Sequence, residues 1–429
     1  MAKKSKKLEE IKEMFLDEER IDEEEIEKIS FEKEFILDLE SRANCLTDIR
    51  EYSHTIHSVE SILLLVIFAL IANCNTFVEI YLFMNKHIEW LLKYIHFDSG
   101  LPSLATIKRV IGMINPKELE DMCNESLKVF LKSNDEFFYK DINYTINDMK
   151  AMDGKTANSS DRKSSKNGEI SKTNAMSLYS VKEDVCEATE FIEEKTNEIP
   201  TGVELLKRVN IENCIILFDA LSTQTKTIDY IASNGGFYVA PVKGNQGTLE
   251  ENIALYFQDE ENYKNAKKKS YYQTIEKAHG GPEKREYIFT NDINWIYKKN
   301  DWKNLKSIGM AIRTYTDKNG NEVKDIRYFI SNIYANETKL LATAVRKEWM
   351  IENGLHLYLD MVFNEDNNKC FLDNSQKNLN IIRKFVLAIL KRYKYQTKLS
   401  MNSIRFNISM DFENEINIII NKAFNHFTD

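Results

Sequence analysis

Up to about residue 140, apolar positions recur three and four residues apart, which is the spacing of an α-helix with one buried face. Ser103 and Pro116 are residue types that suit a helix N-cap and a first helical turn. We predict a helix pair within Ser58–Phe83 that breaks near Asn73–Thr76, and further helices at Ser103–Ile114 and Pro116–Leu131.

From about Tyr144 the pattern changes to short apolar runs that predict strands. The predicted strands are Ile146–Met152, which alternates poorly, Met176–Val181, Ala188–Glu193, Cys214–Phe218 and Phe237–Val242. Helical stretches at Thr201–Val209 and Thr223–Ser233 separate the last three strands. A meander followed by βαβ units implies a mixed sheet covered by helices, which is an α/β fold.

Residues 270–334 are again rich in predicted strand. The runs are Tyr271–Lys277, Glu286–Thr290, Ser307–Tyr315 and Arg327–Ile333, with a hairpin turn at Asp317–Asn321. Helices are predicted to resume with Glu337–Phe363 and Leu379–Tyr393. We interpret the β-rich stretch as an insertion between the sheet and its final helices.

Charge is distributed unevenly along the 429 residues, whose net charge is −9. Acidic residues are concentrated in Leu8–Glu40, which we interpret as an exposed helix or a partly disordered arm. Basic residues cluster locally, as in Lys155–Lys172. The net sign argues against a protein coated in positive charge, but a local patch is what decides phosphate binding.

The chain has no feature typical of export or membrane insertion. Its six cysteines lack paired spacing such as C-x-x-C, which fits a reducing cytosol. The longest apolar run, Ile62–Ala72, is too short to cross a bilayer. Met1–Lys4 leads into acidic sequence instead of an apolar signal segment. We expect a cytosolic protein without membrane contact.

Glu352 is the most informative single residue. On one continuous helix over residues 338–363, a side chain at Glu352 falls within about 20° of the apolar stripe. The stripe consists of Leu341, Val345, Leu359 and Phe363. A carboxylate facing a core is costly unless a strong positive charge pairs with it. Either a cation binds there, or Glu352 is a buried carboxylate paired with Arg346 or His356.

Two aspartates stand where predicted strands end. Asp219 follows Cys214–Phe218, at the strand end where open α/β sheets place ligands, although it could also cap the next helix. Asp153 precedes Gly154, and Asp-Gly is also an ordinary turn sequence. With Glu352 they make three carboxylates, which can hold two Mg²⁺ or Mn²⁺ ions about 4 Å apart.

An ordered string of motifs covering roughly residues 45–425 resembles the H-repeat-associated (ISAs-type) DDE transposases of bacterial insertion sequences. The matching motifs are Asp153-Gly154-Lys155-Thr156, Lys195–Pro200, Asp219-Ala220, Lys243–Leu249, His279-Gly280, Arg327–Ser331 and Trp349–His356. Asp48-Ile49-Arg50, Glu348-Trp349, Leu355-His356-Leu357 and Gly281-Pro282 depart from the family pattern. These departures affect expected DNA contacts more than the acids.

The resemblance implies a ribonuclease-H-like mixed-sheet core with a β-rich insertion and an all-α N-terminal domain. Asp153, Asp219 and Glu352 fall on the family's three acidic positions, which implies that they are both catalytic residues and ligands of two Mg²⁺ or Mn²⁺ ions. The implied partners are double-stranded DNA, as element terminal inverted repeats and target, and a second copy of the chain. The implied location is the bacterial cytoplasm, in association with the nucleoid.

The predicted domains follow the same division. They are an acidic arm at 1–44, a helical domain at 45–140, a catalytic domain at 141–400 with its insertion at about 262–335, and a C-terminal tail at 401–429.

Candidate DNA contacts are basic and polar residues near these acids, and each has a plainer alternative. A solvated loop explains Lys155, Arg162 and Lys163 equally well. An ordinary turn explains His279 and Arg285, and a structural role explains His356. Asp360, Glu365 and Asp366 either support the metal-binding acids from behind or are ordinary polar residues at a helix end. The DNA-contact candidates are Lys155, Arg162, Lys163, Lys243, Asn245, Gln246, His279, Arg285, Arg346 and His356.

The predicted function is metal-dependent DNA strand cleavage followed by 3′-OH strand transfer at element ends. Two alternatives stay open from the sequence: a nuclease of the same fold that cuts without joining, and a domesticated DNA-binding protein without catalysis. An α/β enzyme acting on small molecules lacks support, because we find no glycine-rich phosphate loop.

Overall fold

A computed structural model of the protein describes residues 34–51, 55–97, 99–130, 137–163, 170–192, 198–278, 281–368 and 372–424. For some of these, including 157–163 and 170–173, it describes the backbone alone. The chain divides into two compact units. One comprises Met1–Asn134, Thr156–Thr173 and His356–Asp429, and the other comprises Asp135–Lys155 and Asn174–Leu355.

The first unit is mainly helical, and the described part of its segment Thr156–Thr173 is extended strand. Residues 34–43 are helical. The further helices are α1 (Val59–Ile71), α2 (Phe77–Lys86), α3 (Ile88–Leu91), α4 (Leu104–Met113) and α5 (Pro116–Phe130). Helices are numbered in chain order, and α6 to α10 belong to the second unit. The later helices of the first unit are α11 (Leu357–Met361), α12 (Ser375–Gln396), α13 (Met401–Met410) and α14 (Phe412–Phe424).

Local side-chain caps explain where the first helices begin. The Ser58 hydroxyl accepts a hydrogen bond from the backbone N–H of Ser61 and caps α1. Thr76 and Glu79 form a reciprocal capping box at α2, and Ser103 caps α4. These caps confirm the predicted break near Asn73–Thr76 and the predicted N-cap at Ser103. In the described part of the chain, every helix falls short of the length or apolar character that a bilayer crossing needs.

Buried arginines hold the end of α1 within this unit. The Arg405 guanidinium is 1% exposed and donates to the carbonyl of Leu70, at 2.8 Å, and to the side chain of Asn75. Arg383 is fully buried and pairs with the buried carboxylate of Glu365 at 3.2 Å. Glu365 is therefore an ion-pair partner inside the helical unit, which favours the plainer of its two predicted roles.

The second unit contains the sheet and the helices that cover it. Its short first hairpin consists of β1 (Tyr139–Lys140) and β2 (Thr145–Ile146). The main strands are β3 (Asp148–Lys163), β4 (Ile170–Ser180), β5 (Val185–Ile192), β6 (Cys214–Phe218), β7 (Phe237–Val242), β8 (Tyr271–Ala278), β9 (Gly281–Thr290), β10 (Ser307–Thr316) and β11 (Glu322–Ser331). The helices are α6 (Glu198–Lys207), α7 (Thr225–Ser233), α8 (Gly247–Gln258), α9 (Glu260–Lys269) and α10 (Thr338–Lys347).

Among the described residues, nine strands form one mixed sheet in the order β5-β4-β3-β6-β7-β11-β10-β9-β8. Strand β6 pairs parallel with both β3 and β7, and β4 pairs antiparallel with β5. This arrangement confirms the predicted α/β class with a mixed sheet. Helices follow β5, β6 and β7, as the predicted βαβ order requires.

The β-rich stretch extends this sheet directly. Strand β11 pairs antiparallel with β7, with Tyr328 opposite Val242, and β10, β9 and β8 follow outward. The predicted hairpin turn between β10 and β11 is confirmed. The Asp317 carboxylate accepts backbone hydrogen bonds from Asn319 and Asn321, and Gly320 supplies the positive φ of 86°.

Strand β3 begins later and runs further than predicted. Its poor alternation has a physical cause, because the five consecutive residues Asp148–Met152 are all buried. Two of the five, Asp148 and Lys150, are charged and pair with each other at 3.3 Å, so burial along this strand does not follow the alternation of apolar and polar residue types. Beyond Asp153 the strand continues through the basic cluster to Lys163, so the first part of that cluster is strand and not loop.

The prediction of one continuous helix over Glu337–Phe363 is wrong. Helix α10 ends at Lys347, a turn follows at Glu348–Trp349, and residues Glu352–His356 form a π-helical turn before α11. Both features change the rotational phase along the segment. Glu352 is consequently exposed, while the predicted stripe residues Leu341, Val345, Leu359 and Phe363 are buried.

Gly309 tests the packing that carries the sheet extension. It lies on β10 directly opposite Phe289, and an added Cβ would approach the Phe289 ring to 2.1 Å. We expect Gly309→Ala to lower the free energy of unfolding by about 1–3 kcal/mol, because Phe289 is fully buried and has to move. Urea unfolding measures this value. Gly247→Ala is the control, because an added Cβ there meets nothing within 4 Å. Equal denaturation midpoints for both variants would contradict the packing argument.

Candidate active-site cleft

Two carboxylates are brought together by strand pairing. Strands β3 and β6 are parallel, with Met152 opposite Phe218. The next residue on each strand is an aspartate, Asp153 on β3 and Asp219 after β6. Neighbouring strands lie about 4.8 Å apart, so the two side chains leave the same edge of the sheet next to each other. Both are partly exposed.

Glu352 reaches the same place from much later in the chain. One of its carboxylate oxygens lies within 4.8 Å of a carboxylate oxygen of Asp153. Asp153, Asp219 and Glu352 do not form a three-acid group of this spacing. All three nevertheless line one cleft of about 940 Å³.

The loop after Asp219 is held by hydrogen bonds. The Asp219 carboxylate accepts from the backbone N–H of Ser222 at 3.0 Å, which matches the capping alternative in part. Asn245 donates to the Ala220 carbonyl at 2.6 Å, and Gln246 donates to the Thr223 carbonyl at 3.1 Å. Asn245 and Gln246 therefore fix the backbone next to Asp219, in addition to their predicted role in contacting DNA.

Glu348 is a carboxylate in this cleft that the sequence analysis noted only as a departure from the family pattern. It accepts two hydrogen bonds from Arg327, at 2.8 and 3.0 Å. Burial raises the pKa of Glu348 above its ordinary value, Arg327 and Lys243 oppose that shift, and the negative charge of Asp219 adds to it. The signal in the sequence was its place four residues before Glu352.

Basic side chains from several strands and α10 face the same cleft. Arg285 and Arg313 both pair with the buried Glu283, and the Arg313 contact is 2.6 Å. Burial alone would raise the pKa of Glu283, but Arg313 and Arg285 outweigh it and hold the pKa below its ordinary value. Arg346 pairs with Glu276 at 2.7 Å, so pairing of Glu352 with Arg346, the first of its two predicted alternatives, gains no support.

The remaining predicted contacts are distributed differently. Lys243 is exposed and lines the cleft, and Lys155 is half-buried on β3 two residues after Asp153. Arg162 and Lys163 lie at the end of β3, where the backbone alone is described. His279 lies outside the described residues. His356 is only 4% exposed, so a contact between its ring and DNA would require movement.

Two further cleft residues, Tyr287 and Arg313, were not singled out from the sequence, and Trp349 was named only as part of the family motif. Tyr287 and Arg313 point to the cleft from β9 and β10, and Trp349 is 55% exposed at its rim. Arg313 could have been found as the single charged residue in the sequence run Ser307–Thr316. Large exposed aromatic residues beside arginines are typical of surfaces that stack on bases and hold phosphates.

The side chains present fit divalent cations. The cleft is lined by six acidic and five basic residues, namely Asp153, Asp219, Glu250, Asp325, Glu348 and Glu352 against Lys243, Arg285, Arg313, Arg327 and Arg346. Such a cleft does not attract a phosphate backbone by its own charge. Carboxylates as close as those of Asp153 and Glu352 also repel each other, and hard oxygen donors are the ligands that Mg²⁺ and Mn²⁺ prefer.

Comparison with known protein families matches most of the chain. Residues 146–389 match the transposase DDE domain, and residues 42–125 match the DDE_Tnp_1-associated domain. The first of these covers more than half of the sequence. The chain belongs to the DDE transposase family. Members of this family act on DNA and generally use divalent metal ions.

Two curated relatives of this DDE transposase are Escherichia coli proteins. The "H repeat-associated putative transposase YhhI" of strain K12 is 31% identical over 356 residues, which is 81% of this chain and 89% of that protein. The "Putative transposase YncI" of strain O157:H7 is 31% identical, covering 81% and 86%. A solved structure described as a "piggyBac transposase synaptic complex with hairpin DNA" aligns with a TM-score of 0.37 and 12% sequence identity. The alignment covers 94% of this chain and 82% of that one. This likeness is too weak to support an inference.

Substitution of Asn245 tests whether this residue positions the loop after Asp219 or contacts DNA in this DDE transposase. We expect Asn245→Ala to slow DNA cleavage on the order of tenfold, because the carbonyl of Ala220 loses its 2.6 Å donor next to Asp219. Affinity for DNA should stay close to that of the wild type in a filter-binding titration. A loss of affinity without slower cleavage of bound DNA would instead assign Asn245 to the DNA interface.

Proposed function

We propose that this transposase cleaves DNA strands at the ends of its element and joins the freed 3′ hydroxyl to target DNA, with Asp153, Asp219 and Glu352 as the catalytic acids. The observation that carries the proposal is the meeting of three acids from distant parts of the chain in one cleft. Asp153 on β3 and Asp219 just after β6 stand at neighbouring positions of two parallel strands, and Glu352 has a carboxylate oxygen within 4.8 Å of one of Asp153.

The order of the first five main strands supports a ribonuclease-H-like core. The strands β5-β4-β3 come first along the sheet, and β6 and β7 continue it in parallel. In such a core the acids lie at the carboxyl ends of the central strands, where open α/β sheets place ligands. Strands β8 to β11 form the predicted insertion between β7 and α10.

We propose two Mg²⁺ or Mn²⁺ ions as cofactors, held by Asp153, Asp219 and Glu352. When bound, such ions activate an attacking oxygen and stabilise the departing one in a phosphodiester displacement. The carboxylates contribute the fixed negative charge that the ions require. The hydrogen bonds from Ser222 to Asp219 and from Asn245 to Ala220 hold one side of the site in place before DNA arrives.

The reaction proceeds in two displacements at the same site. A water oxygen first attacks the phosphorus at the element end, the bond from phosphorus to the 3′ oxygen breaks, and that oxygen takes up a proton to become a 3′ hydroxyl. The 3′ hydroxyl then attacks a phosphorus of target DNA. The new P–O bond forms as the target's own 3′ oxygen leaves, and the proton that the attacking hydroxyl gives up is balanced by the proton that the leaving oxygen takes up.

The positive side chains around the acids are suited to hold the DNA backbone. Lys243 and Arg346 are exposed at the cleft, and Arg285 lines it from β9. Lys155, Arg162, Lys163 and His279 remain candidates for the same backbone. We further propose that the helical N-terminal region and the insertion recognise the element's terminal inverted repeats, and that a homodimer acts on paired ends.

The acids provide the first test. We expect Asp153→Asn, Asp219→Asn and Glu352→Gln each to reduce cleavage of a supercoiled plasmid carrying donor ends by at least about 10³-fold. Binding of end DNA should persist, because each variant removes a negative charge and no phosphate contact. Glu260→Gln is the control, because Glu260 lies on α9 and pairs with Lys264. A fully active Asp219→Asn protein would favour a DNA-binding role without catalysis.

The products of the same assay distinguish cutting from joining. Strand transfer predicts plasmid products in which donor 3′ ends are covalently attached to target 5′ phosphates. A nuclease of the same fold would yield nicked and linear donor molecules alone. Sequencing across the junctions measures the difference, and cleaved donor without junctions would reject the transfer step.

Backbone contacts make a separate prediction. We expect Lys243→Ala to weaken binding of all DNA sequences alike and to reduce the slope of log affinity against log salt by about one unit. Lys264→Ala is the matched control, because Lys264 is an exposed lysine that pairs with Glu260 on α9. Fluorescence anisotropy measures the slope from about 50 to 200 mM salt, the range in which such contacts dominate. An unchanged slope in Lys243→Ala would exclude a contact between Lys243 and the DNA backbone.

A further inference from the structure

Gly354 lies inside the π-helical turn that carries Glu352. An added Cβ at this position would lie 2.6 Å from the hydroxyl oxygen of Tyr179 and 3.0 Å from the ring carbon that bears it. Real Cβ atoms essentially never approach another atom to 2.6 Å. The turn can therefore pack this closely against Tyr179 only because residue 354 has no side chain.

Tyr179 is held firmly on the other side of this contact. Its side chain is fully buried on β4. The β4–β5 register slips by one residue there, so that Leu178 faces Ala188 but Tyr179 faces Cys186. A bulge of this kind bends a strand and re-aims the side chains beside it.

A hydrogen bond orients the phenol as well. The Tyr179 hydroxyl donates to the carboxylate of Asp184. Asp184 closes the turn between β4 and β5 in a left-handed backbone conformation, with φ of 57°. The hydroxyl proton points to Asp184, so the oxygen presents a fixed surface to the backbone of Gly354.

We propose that Tyr179 is a positioning residue for Glu352, acting through the backbone of Gly354. The proposal rests on the proposed function, in which Glu352 is one of the three catalytic acids. Glu352 is exposed and stands on an irregular turn, so its position relative to Asp153 depends on where that turn is held. Catalytic groups tolerate misplacement of only about 0.5 Å, and a shift of the turn by one Cβ contact exceeds this.

Gly354→Ala tests the contact. The added Cβ meets the Tyr179 oxygen, so the turn shifts and we expect cleavage of bound DNA to slow on the order of 10- to 100-fold. The dissociation constant for end DNA should stay near the wild-type value. The thermal midpoint falls because Tyr179 is fully buried, but it should stay above the assay temperature. Gly247→Ala is the matched control, because an added Cβ there meets nothing within 4 Å.

A second substitution shows whether the hydroxyl is the atom responsible. Tyr179→Phe removes the oxygen at 2.6 Å, so Gly354→Ala/Tyr179→Phe should cleave several-fold faster than Gly354→Ala alone. A recovered thermal midpoint would report relief of lost stability, whereas relief of a misplaced Glu352 is read from the cleavage rate of folded, DNA-bound protein. Tyr179→Phe by itself should slow cleavage on the order of tenfold, because the ring loses its hydrogen bond to Asp184. This single variant still tests the proposal if Gly354→Ala fails to fold.

These outcomes separate the inference from the proposed function. If Glu352→Gln abolishes cleavage while Gly354→Ala and Tyr179→Phe cleave at the wild-type rate, the positioning role is overturned and the catalytic assignment stands. Full activity of Glu352→Gln would overturn the catalytic assignment and, with it, the reason for positioning Glu352. Slower cleavage in Gly354→Ala that Tyr179→Phe does not relieve would also reject the hydroxyl contact.

Discussion

The parallel pairing of β3 with β6 is the constraint on which the site depends. Its register sets Met152 opposite Phe218, and the aspartates that follow them leave the sheet at one edge. A shift of one residue would send one of the two side chains to the other face. The surrounding strands are buried on both sides, which fixes that register through packing. The rest of the cleft is arranged around this pair.

Glu352 is delivered to the pair by a different kind of element. The interruption after α10 and the π-helical turn carry it out of the apolar stripe and towards Asp153. π-helical turns are rare and occur frequently at functional sites, because they re-aim side chains at some cost in hydrogen-bond geometry. Acidic and basic side chains nearly balance in the cleft, so divalent cations held by the acids would favour the approach of a phosphate.

Much of this was accessible from the sequence because it follows from local rules. Helix caps such as Ser103 and the hairpin turn at Asp317 depend on neighbouring residues, and the structure confirms both. The mixed sheet followed from the order of apolar runs. The prediction that Glu352 faces the core failed, because it assumed one helical period over residues 338–363. The π-helical turn at Glu352–His356 changes that period. The poor alternation of β3 reflects burial on two faces, which periodicity cannot distinguish from a weak strand.

Contacts between distant residues were beyond the sequence. The bonds from Asn245 and Gln246 to the loop after Asp219, and the approach of Tyr179 to Gly354, join residues that no local pattern relates. The pairing of β11 with β7, which makes the insertion part of the sheet, is of the same kind. Arg327 and Glu348 became recognisable as a pair only once this sheet brought them to the cleft.

The central claim is that Asp153, Asp219 and Glu352 share divalent cations when DNA is bound. Anomalous diffraction from crystals of the protein with element-end DNA and Mn²⁺ tests it most directly. We predict anomalous peaks within about 2.3 Å of oxygens from all three side chains, beside the phosphate at the element end. A well-ordered complex with no peak among these carboxylates, or with Mn²⁺ bound elsewhere in the cleft, would contradict the account.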